Sequence, residues 1–121
     1  MLLGHVRDYA AYVLLTLSGE EGNLTAECVI DTGFEGELAL PRTLVAKLER
    51  VSGYETRSLA LADGSVRELL ICYIEIEWDE EPRSVEVLVT EGRPLLGMVL
   101  MDGSYIGIDA RSGGEAVIET Q

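Results

Sequence analysis

The residues best suited to chemistry in this chain stand at 31–33, where Asp31-Thr32-Gly33 follows directly on Leu24-Thr25-Ala26-Glu27-Cys28-Val29-Ile30. A strand end fixes the carboxylate, glycine lets the chain turn and its amide approach the acid, and the threonine hydroxyl can anchor the loop. Such a group offers proton transfer. By itself the tripeptide is equally a plain turn, since Asp, Thr and Gly are ordinary turn residues. Other chemistries are poorly supplied. His5 is the only histidine, so every Ser/His/Asp or Cys/His arrangement would have to use it, and it reads as a surface or interface residue of a terminal strand. Cys28 and Cys72 lie far apart with no CxxC spacing, so one chain assembles no zinc or haem ligand set; both read as small buried hydrophobes. No metal and no organic cofactor is expected, and catalysis by side chains falls to Asp or Glu.

A chain of 121 residues has room for one hydrophobic core, so residues 1–121 are read as a single domain. Hydrophobic residues make up 47% and aromatics 6%, enough to fill that core, which argues against disorder. Nine Lys and Arg stand against 22 Asp and Glu, a formal charge of −13. A field of that sign repels phosphate backbones and anionic lipid, so neither nucleic acid nor membrane is expected as a partner. The start, Met1 to Asp8, lacks a cationic segment followed by an apolar run, and Tyr12 to Leu17 is too short to span a bilayer, so the expected location is cytoplasmic.

The elements that must position Asp31 read mainly as β. Leu24, Ala26, Cys28 and Ile30 share one face at strand period; Ile74-Glu75-Ile76-Glu77-Trp78 alternates apolar with acidic, and Val85, Val87 and Val89 share a face. Turn signals separate them: Gly19 to Asn23 after a first long strand, Asp63-Gly64 between Tyr54–Ala62 and Ser65–Trp78, and Ser112-Gly113-Gly114 before Ala116-Val117-Ile118. Pro41 followed by Arg42 to Glu49 predicts a helix, with Leu44, Val45 and Leu48 on its apolar side. A second, shorter helix is predicted from about Gly97 to Asp102, ending before Gly103.

Three motifs in order then carry a family resemblance: Asp31-Thr32-Gly33 after an apolar strand, the Leu61-Ala62-Asp63-Gly64-Ser65 hairpin tip, and Leu95-Leu96-Gly97. In this order the chain resembles the retropepsin-like aspartic proteases, in particular small bacterial members in which Phe follows the catalytic triplet, over about Tyr9 to Ile118. The resemblance implies an all-β acid protease barrel with one or two short helices, forming half of a two-fold symmetric homodimer. One triplet per chain is half an active site, so two Asp31 carboxylates would face each other across the axis. Terminal segments of that family commonly pair into an interfacial sheet, a role open to Met1–Arg7 and Ala116–Gln121.

The resemblance also assigns roles. Asp31 would be the catalytic acid/base, Thr32 would join the two loops across the axis, and Gly33 would orient the carboxylate through its backbone. Two carboxylates about 3 Å apart share one proton, so one activates water while the other donates to the scissile carbonyl. Leu95, Leu96 and Gly97 would pack beneath the catalytic loop as support. Ala62, Asp63 and Gly64 would form the tip of a flap over substrate, against the competing reading of an ordinary surface hairpin. Phe34 either lines a substrate subsite or fills core. This chain departs from viral members, which usually carry a small residue and then Asp where Phe34 and Glu35 stand. Glu35 and Glu37, if they rim the cleft, would favour peptides bearing Lys or Arg.

Two functions follow as expectations. The first is an aspartic endopeptidase, active as a homodimer on a peptide or protein substrate. The alternative is a catalytically inactive binding or assembly module of the same fold, because fold resemblance does not by itself establish activity.

Overall fold

The computed structural model describes residues 1–120. The chain is mainly β, and its strands form a ten-stranded sheet. In chain order these are β1 (Leu2–Arg7), β2 (Ala10–Gly19), β3 (Gly22–Ile30), β4 (Leu38–Pro41), the single helical turn α1 (Arg42–Val45), β5 (Ser52–Ala60), β6 (Val66–Trp78), β7 (Glu81–Thr90), β8 (Leu95–Leu96), β9 (Tyr105–Ile108) and β10 (Glu115–Glu119). Across the sheet the order is β5-β6-β7-β4-β8-β3-β2-β1-β10-β9. A pairing of Leu17 with Ile76 brings β2 onto β6, so the sheet curls around its core without closing into a clean barrel.

Period-two patterning decides which side chains enter that core. Val13, Leu15 and Leu17 of β2 point inward while Leu14 is exposed, and Val85, Val87 and Val89 of β7 do the same beside Ile74 and Ile76 of β6. Cys28 and Cys72 are buried and unbridged, and desolvation pushes the Cys28 thiol up to about 12. Trp78 is buried in the core. The glycine-bearing turns fall where expected: Gly22, Gly64 and Gly113 all take positive φ. Two further hairpins turn without glycine. Asp8-Tyr9 and Asp79-Glu80 carry positive φ at both residues, the geometry that matches strand twist in a two-residue hairpin.

Three expectations are corrected. The helix expected over Arg42 to Glu49 is only the four-residue α1. Beyond Val45 the chain is drawn to the end of β2: Glu49 N–H donates to Ser18 O, Glu20 N–H donates to Lys47 O, and Leu48 bridges Gly19. Gly97 to Asp102 is a run of turns and not a helix. The Leu100 carbonyl, which a continuing helix would use, accepts from Arg83 Nη1 at 3.1 Å, and Ser104 N–H donates to Met101 O instead. The terminal strands pair with each other inside the chain, Leu2 opposite Ile118 and His5 opposite Glu115. β1 is also paired to β2 and β10 to β9, so neither offers a free edge to a second chain; the edge strands are β5 and β9. Asp79 gathers both ends by bonding the Met1 amine and the Thr120 hydroxyl. Among the described residues no helix is long and apolar enough to cross a membrane.

Candidate active site

Asp31 is positioned by a strand insertion. β3 and β4, which flank the 31–37 loop, are not paired with one another, because β8 lies between them. Val29 and Ile30 of β3 run parallel to Leu95 and Leu96, while Leu38 and Ala39 of β4 run antiparallel to the same two residues. The backbone completes the clamp: Asp31 N–H donates to Leu96 O at 3.0 Å and Val29 N–H to Pro94 O at 3.0 Å. The loop is tied down again on its far side, where Gly97 N–H donates to Glu37 O (2.9 Å), Met98 N–H to Phe34 O (2.8 Å) and Val99 N–H to Gly36 O (3.1 Å). Glycine is required at 97, since a Cβ there would stand 2.0 Å from Gly36 O. Leu95, Leu96 and Gly97 are thus brought directly against Asp31–Glu37.

Within the loop, Gly33 N–H donates to Asp31 Oδ1 at 2.9 Å and Phe34 N–H to Asp31 O at 3.1 Å. The first of these bonds orients the carboxylate. Asp31 is half-buried, whereas Thr32 and Gly33 are exposed at the surface. The half-buried Phe34 ring lies on the backbone of Gly36 and Gly97, where added Cβ atoms would come within 2.5 and 2.8 Å of it. It braces the loop from outside the core.

Asp31 fronts a cleft of about 500 Å³ whose walls are mostly apolar: Val6, Ala10, Ala11, Val29, Ile30, Leu95, Ile108 and Ala110, with Tyr9 and Arg93. Phe34 is not among its walls. Tyr9, at the tip of the β1–β2 hairpin, is fully exposed. Arg93 Nη1 donates to Tyr12 Oη at 2.9 Å, and the Arg7 guanidinium stacks 3.9 Å over the same Tyr12 ring while pairing with Glu27. Tyr9 and Arg93 lie outside the three motifs. The one sequence cue for Arg93 is its place two residues before Leu95, the first residue of β8.

The hairpin tip is elsewhere. Ala62, Asp63 and Gly64 do not line the Asp31 cleft. The tip is held by its own bonds: Leu61 N–H donates to Ser65 O, Gly64 N–H to Leu61 O, and both Ser65 N–H (2.9 Å) and Ser65 Oγ (2.6 Å) to Asp63 Oδ1. The Ser65 hydroxyl and amide hold the Asp63 carboxyl below its usual range. Lower down, the hairpin is braced by Arg57, which bonds Glu86 of β7 and Glu55 of its own strand. Glu37 does not rim the cleft. It accepts from Arg83 Nη2 at 3.2 Å and from Glu86 N–H at 3.0 Å, so its charge is spent inside the fold. Among the described residues no group of three or more His, Cys, Asp or Glu is placed to hold a metal ion.

No family model matches the chain, and no curated protein matches it.

Proposed function

We propose that the chain is a retropepsin-like aspartic endopeptidase, active as a homodimer in which each subunit supplies Asp31. The observation that carries this reading is the presentation of Asp31. One carboxylate per chain stands at a strand end, is oriented by the Gly33 amide, is clamped from below by β8, and opens on an apolar cleft large enough for peptide side chains. In this reading the ionised Asp31 takes a proton from water as that water attacks the scissile carbonyl. The protonated partner carboxyl donates to the carbonyl oxygen, and the single proton belongs to the dyad as a whole. Thr32 and Gly33 face the second subunit, and Met98 and Val99, which bond the same loop at Phe34 and Gly36 and are 44% and 49% exposed, supply apolar contact around the axis. The terminal strands take no part, because both their edges are already paired.

The test is cleavage of a denatured protein substrate by the full chain, by its Asp31→Asn variant, and in the presence of a statine-type inhibitor. Cleavage is expected to vanish in the variant with the fold retained, and one inhibitor to bind per dimer. Cleavage that survives the substitution refutes it. The alternative of an inactive binding module is favoured by one observation, the bonds of the 61–65 tip, which stay within the hairpin and leave the cleft uncovered. A protein that forms the dimer, binds the inhibitor and cleaves nothing would establish that alternative.

A further inference from the structure

The cleft beside Asp31 contains one basic side chain, and the rest of its walls beyond Asp31 are uncharged. In a chain with 22 acidic residues and nine Lys and Arg, almost any exposed guanidinium finds a carboxylate. Six of the eight arginines, Arg7, Arg42, Arg50, Arg57, Arg83 and Arg111, do, and Arg67 on the exposed part of β6 does not. Arg93 does not: among the described residues no carboxylate lies within ion-pair distance of it, and its fixed contact is the phenol oxygen of Tyr12. Tyr12 is itself buried and held under Arg7. Arg93 is therefore aimed by a neutral acceptor, which uses one of its five donors and neutralises none of its charge.

We propose that Arg93 makes this cleft selective for a peptide that places a carboxylate, from an Asp or Glu side chain, within about three residues of the bond beside Asp31. The proposal rests on the peptidase reading and adds to it the class of substrate. It reverses the preference for basic peptides that Glu35 and Glu37 suggested, because Glu35 does not line the cleft and Glu37 is tied to Arg83 and the Glu86 amide. Two electrostatic effects compete. The net charge of −13 repels an acidic peptide at long range, but that repulsion is screened beyond about 8 Å at physiological ionic strength. A guanidinium–carboxylate contact at hydrogen-bond distance escapes most of that screening, and its fork geometry suits two parallel bonds. The local contact wins. The apolar walls formed by Val6, Ala11, Leu95 and Ile108 take the stem of the same or a neighbouring side chain.

The experiment uses the full chain and a set of octapeptides with Leu-Leu at the centre, in which Glu, Gln or Lys is walked through the remaining positions. For the wild type, kcat/KM is expected to favour Glu over Gln at one position by roughly tenfold, the size of one charge-assisted contact. Arg93→Gln brings that ratio to about one, and Arg93→Glu shifts the preference to Lys. Tyr12→Phe keeps the cation but loosens its aim, and is expected to lower the ratio by roughly threefold, which identifies Tyr12 as a positioning residue. A wild type that cleaves with a Glu-to-Gln ratio near one, or a ratio that Arg93→Gln leaves unchanged, overturns the proposal while the peptidase reading stands. If no peptide is cleaved, the peptidase reading fails separately. Binding of the fluorescein-labelled Glu and Gln peptides to the Asp31→Asn chain then decides the cleft: a preference for Glu that Arg93→Gln abolishes supports the assignment, and equal binding overturns it.

Discussion

The 31–36 loop and the 61–65 hairpin tip use the same local device in opposite settings. In each, an aspartate Oδ1 accepts from the amide two residues ahead at 2.9 Å, Gly33 in one case and Ser65 in the other. At the first, one more local bond, Phe34 N–H to Asp31 O, is joined by long-range ties: β8 below, Gly97, Met98 and Val99 alongside, and the Phe34 ring on the Gly97 backbone. At the second, the remaining bonds close within five residues, and β5 is exposed along its whole length. Identical turn chemistry thus yields a carboxylate built into the fold's central pairing and one that rides on an arm. In the proposed peptidase a reacting group has to be held within a fraction of an ångström, and of the two aspartates only Asp31 is tied into the body of the fold to that degree.

Substitutions at three sites and the titration of a fourth sharpen the contrast. Gly97→Ala drives a Cβ into the Gly36 carbonyl and must open the clamp; a loss of about 3 kcal/mol or more is expected in denaturant unfolding, together with loss of cleavage. A near-native midpoint would show that the 36–37 segment yields freely. Arg83→Met leaves Glu37 half-buried without its cation and the Leu100 carbonyl without its donor, for roughly 2 kcal/mol in the same measurement. At the tip the effects shrink. Gly64→Ala meets no steric obstacle but forces a side chain into φ +86°, a cost of about 1 kcal/mol that should appear as faster amide exchange between 61 and 65 and little change in global unfolding.

The smallest effect is the titration of Asp63. Its folded carboxyl is held below the ordinary value, so the bonds to Ser65 contribute fully above that ordinary value and are lost as pH falls through the lower, folded one. Nuclear magnetic resonance should show the Ser65 amide shifting in that acidic window while the core resonances stay still. A core that unfolds with it would tie the arm to the body more tightly than its bonds indicate.

Much of this division was legible in the residues. The alternation through Leu24–Ile30 and Val85–Val89 placed β3 and β7, while the position of Leu95-Leu96-Gly97 against the Asp31 loop was implied by the family resemblance alone. Other features were hidden for physical reasons. Asp8-Tyr9 and Asp79-Glu80 turn with positive φ and no glycine, a conformation that composition does not announce. The apolar spacing at Leu44, Val45 and Leu48 suits a helix, but Lys47 and Glu49 bond to the end of β2, and tertiary pairing overrides the local preference. The turns after Gly97 follow from Arg83 taking the Leu100 carbonyl, a contact between positions distant in sequence. Arg93 enters the cleft by the same kind of long-range placement, of which its position two residues before Leu95 is the one sequence cue.

The pairing of Asp31 across two chains is tested most directly by mixing wild type with the Asp31→Asn variant at fixed total concentration and following cleavage. If each active unit needs two intact copies, an equal mixture after exchange retains about one quarter of the wild-type rate, the share of unpoisoned pairs. A rate that falls only to about one half, in step with the amount of wild-type chain, would mean that each subunit acts alone.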